Sequence, residues 1–343
     1  MRILIVGDFN FEIYEKSLSE AFTNLGHEVK DFSISERFQA RNNFYSKIQN
    51  HIQLGPDINR INNDLLSISK SNFDFIFLHR PRLIKSKTLK KIKHYCKIFI
   101  YNNDDPFGTN YRFYFWWRYM SLLKHCDHIF SYRKKNIKDY KLIGYDNTSI
   151  LMSYFIEKKN FLINKPKIND LIFIGHYEND DRDELLKHLV SQKINLCIFG
   201  NYWEKSKHYK FFLKQSLIGP RLDSKDYNEK LNNSKIALVL FSKLNNDGYT
   251  RRCFEIPRTK SMMVSEYSDE IIQLYEEDKE IVIFKSKHEA AEKIKHYLNN
   301  MDITTKIAEN AYAKVNSSGH EILDRAKQII NIYNNLNQHN DSN

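Results

Sequence analysis

The feature that most constrains this 343-residue chain is a pattern that occurs twice: apolar runs of strand length alternate with stretches of helical periodicity. In the first half, strand-like runs at 3–6, 29–34, 73–78, 98–101 and 128–131 are separated by helix-like stretches. The first of these is at 11–25, and Gly26 supplies its stop. In the second half, runs at 171–174, 195–199, 236–241, 261–264 and 281–284 repeat the alternation, with helical periods at 184–191, 288–298 and from 303 to 336. Strands that alternate with helices build a parallel sheet, because each crossover returns the chain to the same end. Between the halves, residues 157–169 are polar and lysine-rich around Pro166, as a linker would be. The pattern predicts an α/β protein of two Rossmann-like domains facing a central cleft, at 1–160 and 168–320. A C-terminal helix at 321–336 and a disordered tail at 337–343 would follow. Two domains of roughly 150–170 residues also suit what one core can support.

Composition narrows the function classes. A hydrophobic share of 41%, with 23 Phe and 21 Tyr, is ample for two cores. No apolar run approaches the roughly 20 residues that span a bilayer. The N-terminal run is interrupted by Asp8 and Glu12, too soon for a signal-peptide core, so a cytoplasmic protein is expected. Cys96, Cys126, Cys197 and Cys253 lie far apart without a CxxC pair, which indicates small buried hydrophobes rather than a disulfide framework or structural zinc. The formal charge of +11, from 53 Lys and Arg against 42 Asp and Glu, suits nucleotide phosphates, anionic lipid or nucleic acid alike. Because the lysines are scattered rather than striped, no dedicated nucleic-acid surface is expected.

Several short stretches follow strand ends, where ligands of open α/β sheets bind. The first is Gly7-Asp8-Phe9-Asn10. Its single glycine lacks the GxGxxG fingerprint and argues against a dehydrogenase; Gly7 serves a tight turn or, with Asp8 and Asn10, lines the cleft. Asp104-Asp105-Pro106 offers acids that bind sugar hydroxyls or supply a base, Asp105 being the candidate, or that merely cap a turn. The aromatic segment at 111–119 either packs in the core or stacks on sugars or lipid. In the second half, Gly175-His176 ends a strand, and His176 is either a turn residue or a catalyst. The helix beginning near Asp181 could hold a diphosphate on its amides if Arg182 offsets the surrounding acids. The strongest constellation is Tyr249-Thr250-Arg251-Arg252-Cys253-Phe254-Glu255-Ile256-Pro257. Arginine forks match phosphate oxygens and a carboxylate can accept both ribose hydroxyls, although an Arg–Glu helix pair would show the same spacing.

The R-x-F-E element Arg252-Cys253-Phe254-Glu255, followed by Met262-Met263-Val264-Ser265-Glu266, resembles the donor site of CgeB-like glycosyltransferases, which stand among the group 1 enzymes of GT-B fold. Phe173-Ile174-Gly175 with Arg182, Tyr227 ahead of the run at 236–241, the element at 320–325 and Asp104-Asp105-Pro106 add to the resemblance. It implies a glycosyltransferase with a nucleotide-sugar donor on the C-terminal domain and a glycan, lipid-linked or protein acceptor on the N-terminal one. No cofactor and no metal are implied. Arg252 and Arg251 would meet the diphosphate, Arg252 catalytically; Glu255 would take the ribose, with Thr250 among the nucleotide-binding residues. Gly175, His176, Arg182 and Tyr227 would line the donor side, and Gly7, Asp8, Asn10, Asp104 and Asp105 the acceptor side. The setting implied is bacterial surface polysaccharide or glycoconjugate synthesis. A lipid-borne acceptor would account for the basic charge and draw the protein to the inner face of the membrane. The rival expectations are a sugar-nucleotide epimerase of the same architecture, a basic nucleic-acid-binding protein and a non-catalytic sugar binder.

Overall fold

The computed structural model describes residues 1–38, 44–108 and 114–341, and the chain divides into two compact units. The first holds Met1–Met152 together with Ile322–Asn343; the second is Ser153–Glu321. Each is built on a six-stranded sheet in which every pairing is parallel.

In the first unit, β1 (Arg2–Gly7), β2 (Glu28–Ser33), β3 (Phe75–His79), β4 (Lys97–Asn102), β5 (His128–Ser131) and β6 (Thr148–Ile150) lie in the order β2-β1-β3-β4-β5-β6. Ile3, Leu4, Ile5 and Val6 are all fully buried, as befits an inner parallel strand covered on both faces. β2, at the edge, keeps Glu28, Lys30 and Asp31 exposed, which discourages pairing with another chain. The helix expected at 11–25 opens with a wider, π-helical turn at Glu12–Lys16 before the α-helix Ser17–Asn24. Gly26 then turns out of it at φ 83°. The C-terminal helix, Ile322–Asp341, belongs to this unit: Tyr333 lies 5.4 Å from the Phe75 ring, and Gln328 Nε2 donates to the Ile150 carbonyl at 2.6 Å. It runs to Asp341, past Asn337, where a polar tail is expected to begin.

In the second unit, β7 (Asn169–Ile174), β8 (Leu196–Phe199), β9 (Ile218–Gly219), β10 (Ser234–Val239), β11 (Met262–Glu266) and β12 (Val282–Phe284) lie in the order β12-β11-β10-β7-β8-β9. Counted from its own first strand, this is the 3-2-1-4-5-6 order of dinucleotide-binding folds. The helical stretch expected from 303 is two helices, Met301–Ser317 and Ile322–Asp341, parted near Gly319 at φ 65°. The polar segment at 157–169 is fastened to this unit rather than suspended. The amides of Phe161 and Ile163 donate to the side chains of Asn228 (3.2 Å) and Asn232 (2.7 Å), on the helix Ser224–Asn232.

These orders fix where chemistry can sit. In the first unit the chain leaves β1 to one side for β2 and to the other for β3, so the helices diverge above the carboxyl ends of β1 and β3. In the second unit the same divergence lies above β7 and β10. A crevice opens at such a point because no crossover covers it.

Candidate functional site

In the second unit, β7 delivers Gly175 and His176 to the crevice, and the segment after β10 delivers Thr250, Arg251, Arg252 and Glu255. Gly175 has to lack a side chain: a Cβ there would stand 2.7 Å from Phe173 Cζ and 3.5 Å from an Arg252 guanidinium nitrogen. The half-buried Arg252 thus lies directly beside the β7 turn. Among the described residues none forms an ion pair or side-chain hydrogen bond with it.

The other arginines are committed. Arg182, 6% exposed, donates to Asp180 through Nε at 2.7 Å and Nη2 at 2.6 Å, reaches the His176 carbonyl, and lies 3.3 Å from Glu178. It closes the 176–182 loop on itself. The start of the helix Arg182–Ser191 is occupied as well, since the Arg182 amide donates to Asp180 Oδ1 (3.3 Å) and the Glu184 amide to Asp183 Oδ1 (3.0 Å). Arg182 does offset its acidic neighbours, but these two amides are spent on side chains. Arg251 pairs with Glu255, four residues on, while the Tyr227 hydroxyl donates to the other Glu255 oxygen at 2.7 Å. Glu255, 2% exposed, is therefore a buried anchor between a cation and a phenol. Burial and the neighbouring carboxylate push the Tyr227 hydroxyl well above the ordinary tyrosine value, so it remains a donor.

His176 accepts the Asn201 amide at Nδ1 (3.2 Å), which leaves its proton on Nε2. Desolvation, then the charges of Arg252, Arg221 and Arg182, hold it below the ordinary histidine range. It is a neutral donor standing among three cations. Arg221, shortly after β9, escaped the sequence reading because β9 spans only two residues. Thr250 is buried, and its amide lies 3.5 Å from Cys253 Sγ; burial pushes that thiol up to about 11, so it is no nucleophile.

In the first unit, Gly7 does not need a positive φ. It is glycine because a Cβ would stand 2.6 Å from Glu15 Cγ and 2.9 Å from its Cδ. The π-helical turn aims Glu15 inward, where Oε1 accepts from the Asp8 amide (3.1 Å) and meets His79 Nδ1 (2.8 Å). Glu15 and His79 are 5% and 6% exposed. Neither was singled out by sequence, where a lone Glu and a lone His 64 positions apart carry no pattern. The adjacent acids Asp104 and Asp105 part company. Asp104 pairs with Arg80. Asp105 is wholly buried and accepts from Asn136 (2.7 Å), the Phe107 amide (3.0 Å) and Lys135 (3.1 Å), the geometry of a loop anchor rather than an accessible base. Asp8 and Asn10 line a cavity of about 390 Å³ with Arg80 and Arg82. Of the aromatic segment, Tyr111, Arg112 and Phe113 lie outside the described residues; Trp116 and Tyr119 are core, and Trp117 is exposed.

Residues 182–331 match the sequence model of the family described as glycosyl transferase-like. The chain carries a glycosyl transferase-like domain over these residues. No curated protein matches the sequence. Among solved structures, the chain is similar to sucrose-phosphate synthase from Thermosynechococcus elongatus, with a TM-score of 0.73 at 10% identity over 99% of this chain and 100% of that one. It is similar to Anabaena HepE in complex with UDP and glucose (0.68, 12% identity, 96% and 98% covered). It is also similar to a glycosyltransferase from Rickettsia africae (0.68, 14%, 98% of each chain). These likenesses establish the GT-B fold. No described helix is long and apolar enough to cross a membrane.

Proposed function

We propose that this glycosyltransferase takes its sugar from a nucleoside-diphosphate sugar bound at the β7/β10 crevice, and belongs to the CgeB-like branch on its Arg252-Cys253-Phe254-Glu255 element. The observation that carries this reading is Arg252, whose guanidinium has no ion-pair partner among the described residues and lies beside a side-chain-free Gly175 where the sheet diverges. As the anomeric carbon–oxygen bond breaks, negative charge grows on the departing diphosphate, and a cation already in place lowers the barrier without reorganising. Arg252 supplies that charge, and neutral His176 supplies a hydrogen bond from Nε2. Glu255 holds Arg251 and Tyr227 in position and meets the ribose when the nucleotide displaces one of them. The new bond joins the anomeric carbon to an acceptor oxygen, whose proton leaves. Guanidinium groups meet the diphosphate's charge, so metal and cofactor have no part in the proposal. The acceptor, a glycan, lipid-linked or protein chain, is held by the first unit, in bacterial polysaccharide or glycoconjugate synthesis on the cytoplasmic side. HepE, crystallised with UDP and glucose, supports the donor class by likeness of fold.

The test is thermal stabilisation by UDP, GDP, ADP and TDP, each compared with Arg252→Ala. A ligand at 100 times its Kd adds about 2.7 kcal/mol. One diphosphate should stabilise the protein and lose at least about tenfold in affinity in the variant. Unchanged affinity in a folded variant refutes the assignment. Product formed from the donor alone, without acceptor, would reveal an epimerase.

A further inference from the structure

The first unit has its own divergence point, and a cavity opens beside it, with Asp8 and Asn10 after β1 and Arg80 and Arg82 after β3. Among the described residues its lining carries three cations, Lys47, Arg80 and Arg82, against one carboxylate, Asp8. The two arginines are set in place rather than scattered. The Arg82 amide donates to the Arg80 carbonyl at 2.7 Å, a three-residue turn around Pro81 that fixes the spacing of the two guanidinium groups. Arg80 has φ 47°, a conformation that bulky side chains rarely accept, and its amide is tied to the Tyr101 carbonyl at 2.9 Å. Asp104 orients the Arg80 side chain. Arg82 is held by Asn50 Oδ1 at 3.2 Å and by stacking 4.0 Å from the Phe115 ring. Asp8 opens to the cavity, yet protein surrounds it closely enough that desolvation, then Glu15, raises its carboxyl above the ordinary value. A volume of about 390 Å³ accommodates a monosaccharide together with an anionic substituent.

We infer that this cavity is a subsite for an anionic sugar, in which Arg82, Arg80 and Lys47 take a phosphate or carboxylate group while Asp8 and Asn10 take hydroxyls. Two arginines held in place at the cavity offer forked donors that match either anion. The name acceptor for this sugar rests on the transferase reading above; the anion site itself does not.

The probes are glucose 6-phosphate, glucuronate and neutral glucose, titrated calorimetrically into the full chain, with UDP titrated separately. Glucose 6-phosphate or glucuronate should bind at least tenfold more tightly than glucose. Arg82→Ala and Lys47→Gln should each weaken that binding severalfold and leave UDP affinity unchanged. Lys47→Gln, at an exposed helix position, keeps the test sound should loss of the Arg82–Phe115 stacking harm folding. Vesicles of phosphatidic acid that compete with glucose 6-phosphate, where phosphatidylcholine vesicles do not, would assign the anion to a lipid-borne sugar; absence of competition assigns it to a soluble one. Equal binding of glucose and the acidic sugars, or acidic-sugar binding indifferent to both variants, overturns the subsite. Loss of UDP binding alone would refute the donor proposal and leave this one standing.

Discussion

Gly7→Ala tests whether the β1 turn is glycine for the reason given. The added Cβ would lie 2.6 Å from Glu15 Cγ and 2.9 Å from Cδ, with the β1 backbone fixed between two paired strands. Glu15 has to leave. With it go its hydrogen bonds to the Asp8 amide (3.1 Å) and His79 (2.8 Å). Bonds to a charged group are worth about 1.5–3 kcal/mol each, so a cost of about 2–5 kcal/mol follows when the loop partly rehydrates. In an Glu15→Ala background those bonds are already gone and the space is empty. There the same alanine should be neutral, or stabilising by about 0.4–1 kcal/mol through a stiffer unfolded chain. The coupling between the two sites should therefore reach at least about 2 kcal/mol, large for a double-mutant cycle. A chain of two units need not unfold in one step, so the measurement should be local. Urea-dependent hydrogen exchange of peptides covering β1 and β3 isolates this unit. If Gly7→Ala costs the same with and without Glu15, the steric account is wrong.

Two further outcomes follow from the same geometry. Tyr227→Phe removes the 2.7 Å donor to Glu255 from a buried site and should destabilise the second unit by about 1.5–3 kcal/mol, weakening nucleotide binding as Arg251 loses its fixed anchor; hydrogen exchange in peptides covering β10 and an unchanged UDP affinity are the checking and refuting readouts. Asp8→Asn should raise thermal stability at neutral pH. A carboxyl whose folded value lies above the 3.8 of the free group lends stability that is present below pH 3.8 and lost as pH rises through the folded value, so the advantage of the amide should grow between pH 4 and 7. A melting-temperature difference that stays flat across that range would deny the shift.

The sequence showed most clearly what burial enforces locally. β1 and β10 were legible because inner parallel strands are apolar on both faces, and the arginine–glutamate element because its chemistry is contiguous. β6 and β9, of three and two residues, are too short to carry a period and hold their places by pairing alone. Asp104 and Asp105 looked alike in sequence; tertiary context made one an ion-pair partner and the other a buried anchor. Glu15, His79, Arg80 and Arg82 come together only when β1 and β3 pair, so no window of sequence contains them. The wider turn that aims Glu15 inward has no sequence signature either.

The second unit also explains why a dinucleotide-type strand order appears without the glycine-rich fingerprint. In that fingerprint, backbone amides at a helix start meet the phosphates, and glycines let the backbone approach. Here the Arg182 and Glu184 amides are taken by Asp180 and Asp183, and Gly175 is spent on admitting Phe173 and Arg252. Side chains are left a larger share in meeting an anion in the crevice. That arrangement tolerates acids in the turn, because Arg182 neutralises them within the loop while Arg252 pairs with none of the described residues. It also puts a cation of the site on a replaceable side chain, which is why Arg252→Ala should separate binding from folding where a change at a glycine-rich turn would harm both.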